Sequence, residues 1–221
     1  MSSKATGWRY VRIQSLDDQV SLTVGSPQEA QALAEHLRHD ATWLEVVAGI
    51  DTVVVRFDAA ATDAIMAERR LGDVLAGEIP PLPSRDEVLE IPVVYGGEYG
   101  PDLDALCQEL GMTQGEFIAL HTGRDYSVDM VGFTPGFAFI GGLAEQLHVP
   151  RREQPRQRVA PGSVAIADGR TGIYALPSPG GWTLIGRTPY PLFDPQADEP
   201  FPIHAGTRIR FVAAAADVFA E

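Results

Sequence analysis

Tyr95-Gly96-Gly97-Glu98-Tyr99-Gly100-Pro101-Asp102, Gly132-Phe133-Thr134-Pro135-Gly136-Phe137 and Ser178-Pro179-Gly180-Gly181-Trp182 punctuate the stretch from Ile91 to Asp194, and their reading decides the fold. Of the 22 glycines, 17 lie between Ile91 and Glu221, together with 13 of the 17 prolines. Glycine permits positive φ and close backbone approach, while proline fixes φ and removes a donor. Each cluster therefore specifies a shaped turn. Between the turns run short apolar segments, the pattern of a β-barrel or sandwich. Hairpin turns account for most single glycines. The aromatic and charged side chains among them point instead to loops that meet a ligand or a partner.

One helical pair interrupts this β-rich region. Asp102 to Gly111 reads as a short helix ending at glycine. Thr113-Gln114-Gly115-Glu116 has the capping-box pattern and opens a second helix that ends near His121, before Gly123. Working back to the first ninety residues, Trp8 to Ile13 alternates as a strand, and a turn follows at Asp17-Asp18. Ser26-Pro27-Gln28-Glu29 is a helix start, and that helix runs to about His39. Trp43 to Val47 and Thr52 to Phe57 are strands, a second helix covers about Thr62 to Leu75, and Glu87 to Val94 returns as strand. The order strand, helix, strand, strand, helix, strand predicts a ferredoxin-like split β-α-β domain. Pro80-Pro81-Leu82-Pro83-Ser84 is a stiff linker. The expected division is a ferredoxin-like α/β domain over 1–84 and a barrel domain over 85–221.

Composition narrows the function. The net charge is −13, shared between the halves: 8 basic and 15 acidic groups in residues 1–90, 9 and 15 in residues 91–221. Such a surface disfavours nucleic acid and anionic membranes as partners. There is no run of 18 apolar residues, and the start lacks the apolar stretch of a signal peptide, so a soluble, cytoplasmic protein is expected. Cys107 stands alone in an acidic helix and reads as a packed structural cysteine. Lys4 is the only lysine against 16 arginines, which excludes a P-loop and makes a serine–lysine amidase set or a Schiff-base lysine implausible. His36, His39, His121, His148 and His204 show no zinc-ligand spacing, so no metal site is expected.

The residues that remain candidates for chemistry are few. His121 falls at a helix end, where a charged imidazole gains about 0.3–1 kcal/mol from the helix dipole. Asp129 alternates with the apolar Tyr126, Val128 and Met130, so His121 and Asp129 could form an acid–base or orienting pair. Arg151, Arg152, Arg156 and Arg158 place four guanidiniums in eight residues of an otherwise acidic chain, in a loop pinned by Pro150 and Pro155. They read as an anion site, or as a solvated patch balancing nearby carboxylates. Arg187, in Gly186-Arg187-Thr188-Pro189, is a second anion candidate.

Taken together, these strings are specific. Ile91-Pro92-Val93 leading into Tyr95 to Leu103, Leu120-His121-Thr122, Tyr126, Gly132 to Phe137 and Pro161-Gly162-Ser163-Val164 resemble the family of the 5-oxoprolinase B subunit. So do Thr171-Gly172-Ile173-Tyr174, Ser178 to Trp182, Leu184-Ile185-Gly186-Arg187-Thr188-Pro189 and Leu192-Phe193-Asp194-Pro195. The family is also labelled allophanate hydrolase subunit 1 and includes a sporulation-kinase inhibitor. The resemblance implies an α+β chain whose second domain is a cyclophilin-like β-barrel. It implies a subunit, inactive alone, that joins a larger cyclophilin-like partner and a third component to open 5-oxo-L-proline to L-glutamate with ATP. ATP with Mg2+ would then be the cofactor of the complex, with no biotin on this chain. Kinase regulation, or a part in allophanate or urea processing, is the alternative. The matching positions expected to face the cleft between partners are Glu98, His121, Tyr126, Phe133, Pro135, Phe137, Ser163, Thr171, Arg187 and Thr188. With the residue-level reading, catalysis falls to His121, Asp129 and Arg187. Arg156 joins the binding group, and Phe133 and Phe137 are the expected anchors for the partner.

Overall fold

The computed structural model describes residues 12–82 and 87–219. The chain divides into two compact units, Met1–Ser84 and Arg85–Glu221.

In the first unit the elements are β1 (Arg12–Leu16), β2 (Gln19–Thr23), α1 (Pro27–Arg38), β3 (Trp43–Ala48), β4 (Thr52–Phe57) and α2 (Ala64–Ala76). Helix α1 starts where its local chemistry dictates: Ser26 Oγ accepts the Glu29 N–H at 3.2 Å, and proline occupies the first turn. The strands form an antiparallel sheet in the order β1-β2-β4-β3. Val20, Leu22, Val53, Val55 and Phe57 point from it onto Leu33, Leu37 and Leu71 of the helices, and this face is fully buried.

The sheet corrects the expected strand order. Strand β2, absent from the sequence reading, pairs with β1 through a two-residue turn at Asp17 and Asp18, where Asp17 takes φ 51°. The strand after α2 does not return to this sheet. One split β-α-β remains, with β4 lying between β2 and β3, and β1 occupies the edge that a ferredoxin-like fourth strand would take. Of the strand expected at Trp8 to Ile13, residues 8–11 lie outside the described residues, and Arg12 and Ile13 open β1.

In the second unit the elements are β5 (Val88–Tyr95), α3 (Leu103–Leu110), α4 (Gln114–Thr122), β6 (Tyr126–Val131), β7 (Ala138–Gly141), β8 (Arg156–Val159), β9 (Ser163–Ala167), β10 (Arg170–Ile173), β11 (Ser178–Gly180), β12 (Thr183–Arg187) and β13 (Arg208–Ala213). Seven strands close into a barrel in the order β10-β7-β6-β13-β5-β12-β9, and β8 and β11 form a separate ribbon. Closure removes the exposed sheet edges of those strands. Strand β5 enters between β13, which it meets in parallel, and β12. The barrel is filled by Ile91, Val93, Val128, Ile140, Val164, Ile166, Ile185, Ile209 and Phe211. Both helix signals read from sequence appear as written: Gly111 closes α3 in the left-handed region at φ 67°, and Thr113 and Glu116 form a reciprocal capping box on α4. Cys107 is buried in α3, where burial and then Asp104 raise its thiol pKa.

Candidate functional site

Strand registers collect several of the signature loops at one end of the barrel. Arg187 closes β12 opposite Val94 of β5 and Ser163 of β9, Ile173 of β10 sits across from Val164 and Ala138, and Ala138 pairs with Val131. The Gly132–Phe137 turn, the Pro161-Gly162 turn and the segment after Arg187 therefore emerge together. Gly162 has φ 81°, its carbonyl accepts the Thr188 N–H at 2.9 Å, and a side chain there would collide with the Thr188 carbonyl. Only glycine lets these two turns lie so close.

Between them opens a cleft of about 430 Å³ lined by Pro161, Gly162, Ala175, Arg187, Thr188, Pro189, Tyr190, Leu192, Phe193, Val218 and Phe219. Among the described residues, Arg187 is the one charged side chain in that lining. Its Nε–H donates to the Pro161 carbonyl at 2.9 Å, and the Phe219 ring lies 5.7 Å from its guanidinium carbon. Phe219 in turn stacks on Tyr99, with centroids 4.7 Å apart and planes 4° from parallel. Among the described residues Arg187 makes no ion pair, as is also true of Arg69, Arg124 and Arg158, whereas Arg151, Arg152, Arg156, Arg170, Arg208 and Arg210 all do; of those first four, only Arg187 lines this cleft. A second cleft, of about 550 Å³, shares Pro189, Tyr190 and Val218 with the first.

The Gly132–Phe137 turn forms a rim beside this cleft. Phe133 is 65% exposed and sits at φ 70°, a strained conformation for a bulky residue, with Pro135 exposed next to it. Gly136, at φ 74°, is pressed by the Phe201 ring and by Ala175, itself a cleft residue. Phe201 carries the half-exposed Phe193 stacked on it at 4.8 Å. Phe137 is different: only 1% exposed, it packs edge-on against Phe139, Tyr174 and Trp182. The two phenylalanines of one motif thus divide, Phe133 to the surface and Phe137 to the core.

His121 is inside the barrel wall, 0% exposed, with its ring among Phe117, Tyr126 and Phe211. The Tyr95 hydroxyl donates to Nδ1 at 2.7 Å, and Nε2 meets Thr171 Oγ1 at 3.0 Å. Thr171 spends its own proton on the Ala165 carbonyl at 3.2 Å, so Nε2 must carry the ring proton and donate to Thr171. Burial raises the Tyr95 pKa well above its ordinary value and lowers that of His121 from 6.5 to about 3, which keeps this chain of hydrogen bonds neutral. Tyr126 is also buried, its hydroxyl donates to the His121 carbonyl at 2.7 Å, and burial pushes its pKa up to about 12. The expected charged imidazole at a helix end is therefore replaced by a neutral, fully bonded core histidine. With both ring nitrogens taken, the expected pair with Asp129 is not formed.

Asp129 lies at a bulge between Val128 and Met130, which turns its side chain inward over Gly141, where any side chain would displace it. It pairs with Arg170 at 3.2 Å; burial raises its pKa and Arg170 opposes the rise. Arg170 is at the end of β10 remote from Ile173, so this pair is not brought to the Arg187 cleft. Three of the four clustered arginines also resolve into ion pairs. Arg152 and Arg156 converge on Asp102 Oδ1 at 2.9 and 2.7 Å, Asp102 Oδ2 accepts the Leu184 N–H, and Arg151 pairs with Asp168. That is the balancing patch, built as a clamp between the α3 entry and the β8–β11 ribbon. Of the other expected residues, Ser163 is buried at the cleft's floor strand, Thr188 Oγ1 accepts the Tyr190 N–H, Thr171 belongs to the His121 network, and Glu98 is exposed. Tyr190, Phe193 and Phe219 line the cleft without having stood out as site residues in the sequence, although Phe193 falls within one of the signature strings.

Residues 5–203 match the family described as the carboxyltransferase domain, subdomain C and D. The chain is also 40% identical over 194 residues to a protein of Escherichia coli O157:H7 named as the B subunit of 5-oxoprolinase, covering 86% of this chain and 87% of that one. This chain belongs to the 5-oxoprolinase B-subunit family. Among solved structures, TTHA0988 superposes with a TM-score of 0.76 and 33% identity over 93% of this chain. The match spans only 40% of TTHA0988, so in that protein the matching part is embedded in a longer chain. Urea carboxylase of Kluyveromyces lactis shares the fold, with a TM-score of 0.73 at 16% identity, over 96% of this chain and 22% of its own. No helix among the described residues is long and apolar enough to cross a membrane.

Proposed function

We propose that this chain is one part of an ATP-dependent 5-oxoprolinase complex and contributes one wall of its substrate site through the Arg187 cleft. Ring opening adds water across the lactam C–N bond of 5-oxo-L-proline to give L-glutamate, with hydrolysis of ATP to ADP and phosphate driving it. The observation that carries the reading is a guanidinium without an ion pair among the described residues, in an acid-free cleft, on a chain of net charge −13. An arginine so placed suits a substrate carboxylate, and Tyr190 and Phe193 supply apolar walls for a small ring. The lining does not fit Mg2+-bound ATP. It offers one cation for a triphosphate and no carboxylate for the metal, and among the described residues no cluster of three or more His, Cys, Asp or Glu could hold an ion. Nucleotide chemistry is accordingly assigned to the rest of the complex, and the isolated chain is proposed to be inactive.

The exposed Phe133 and Phe193 beside the cleft fit a partner surface that closes over it, because desolvated aromatics dominate association energies. In TTHA0988 the matching part is joined to further chain beyond the matching 40%, which supports the idea that this fold works beside a larger partner. The decisive experiment is reconstitution with the two candidate components, assaying ATP-dependent glutamate release from 5-oxo-L-proline. Turnover by the assembly and none by the separate chain is expected. Equal turnover by the chain alone, or none by the assembly, defeats the proposal. Allophanate, also a small monocarboxylate, serves as the alternative substrate for the same assembly, with release of ammonia as the readout.

A further inference from the structure

We infer that the Arg187 cleft selects a small monocarboxylate over phosphate, and that Phe219 is the positioning residue that makes it do so; this rests on the reading of the cleft as the substrate site. Two contacts constrain the guanidinium, and a third holds one of its partners. Its Nε–H is committed to the Pro161 carbonyl, its carbon sits 5.7 Å from the Phe219 ring centre, and Phe219 is itself held by stacking on Tyr99. What remains for a ligand is the Nη edge, whose paired N–H groups match the two oxygens of a carboxylate. A ring within about 6 Å of a cation also fixes that cation's direction, which a flexible apolar neighbour would not.

Charge and size specify the ligand class. A single guanidinium neutralises one negative charge, and among the described residues no second cation lines the cleft to meet a phosphate dianion. Apart from Arg187 the lining carries no charged side chain; Leu192, Phe193 and Val218 add apolar patches to a surface that is otherwise largely polar, so the body of the ligand is compact and uncharged but able to accept or donate hydrogen bonds. A volume of about 430 Å³ lies near the lower end of small-molecule sites and leaves room for one small ring. Phe219 touches no reacting atom in this scheme; it acts through Arg187.

The test is an NMR titration of the full chain with three probes: 5-oxo-L-proline, its uncharged carboxamide and inorganic phosphate. Saturable shifts are expected with 5-oxo-L-proline, and binding at least about tenfold weaker with the carboxamide and with phosphate, the scale of one lost charge-assisted hydrogen-bond pair. Arg187→Ala should abolish the shifts. Phe219→Leu, which keeps apolar bulk, should weaken binding about fivefold, and Phe219→Tyr, which keeps the aromatic face, should restore it to within about twofold. Unchanged thermal midpoints in both Phe219 variants separate positioning from packing; a fallen midpoint in Phe219→Leu that accounts for the weaker binding overturns the positioning role. Loss in Arg187→Ala with no effect of Phe219→Leu removes Phe219 but leaves the cleft as the site. Phosphate binding as tightly as 5-oxo-L-proline overturns the ligand class. Unaltered binding in Arg187→Ala, or no saturable shift at all, removes both the site and the inference.

Discussion

Replacing His121 with alanine should destabilise the barrel severely, and the structure sets the scale. The ring is wholly buried among Phe117, Tyr126 and Phe211, so its loss opens a cavity comparable to that of a truncated core aromatic, about 3–5 kcal/mol. Tyr95 and Thr171 lose the partners to which their hydroxyls are joined, and an unsatisfied buried hydroxyl adds about 1–3 kcal/mol. A total of at least about 4 kcal/mol lowers the thermal midpoint of a chain of this size by roughly 10 °C. The same burial gives a pH signature. The folded imidazole resists protonation down to about pH 3, while the unfolded one takes its proton near 6.5. The contribution is thus fully present above pH 6.5 and is lost as pH falls toward the folded value, at about 1.4 kcal/mol per unit. Between pH 6.5 and 5 the loss is about 2 kcal/mol. Asp129 titrates in the opposite sense, since its raised pKa favours the folded state at lower pH, but it is common to the wild type and to His121→Phe. Urea unfolding of both from pH 7 to 5 isolates the histidine, and the His121→Phe curve should be flatter by about one proton. A cost below about 1 kcal/mol for His121→Ala, within reach of a surface helix-end residue, would refute the buried network. So would identical pH slopes.

Arg187→Lys should depress turnover of the reconstituted complex nearly as far as Arg187→Ala, because the ammonium keeps the charge but loses the fork; steady-state kinetics on 5-oxo-L-proline checks this. Phe133→Ser should keep its thermal midpoint, the side chain being 65% exposed, and lose co-elution with the proposed larger partner in pull-down. Phe137→Ser should cost at least about 3 kcal/mol in urea unfolding, since it removes the centre of the Phe139, Tyr174 and Trp182 cluster. Asp102→Asn should cost about 2 kcal/mol by leaving Arg152 and Arg156 without their shared carboxylate, with thermal melts at low and high salt showing a smaller gap at high salt.

What is legible in the sequence is what local chemistry controls. Ser26 and Glu29, Thr113 and Glu116, and Gly111 fix helix ends through contacts within four residues, and all three ends stand where their residue types put them. The strands Thr52–Phe57 and Val88–Tyr95 are visible by alternation, but alternation says nothing about pairing. Leu89 pairs with Ile209 on the neighbouring strand β13, and that register, distant in sequence, is what commits β5 to the barrel. Strand β2 is hidden for a different reason. The turn at Asp17 and Asp18 is legible, but the strand that follows it is only five residues long and shows just two apolar positions, Val20 and Leu22, too few to mark a strand without its partner β1.

Site residues divide along the same line, and charge decides between them. Four arginines in eight residues look like the stronger anion site, yet three of them are answered by Asp102 and Asp168, partners too far along the chain to be foreseen. A solitary arginine in a Gly-Arg-Thr-Pro turn is the weaker signal. The turn matters because it commits the backbone: Thr188 N–H goes to Gly162, Arg187 Nε–H goes to Pro161, and the guanidinium is carried into a space that no carboxylate of the described residues enters. In a chain with 30 acidic groups against 17 basic ones, an arginine facing a cleft without a counter-charge forgoes an available ion pair. An arginine held in that state by two turns and an aromatic face is preorganised for an anion from outside, which is the property a substrate site requires.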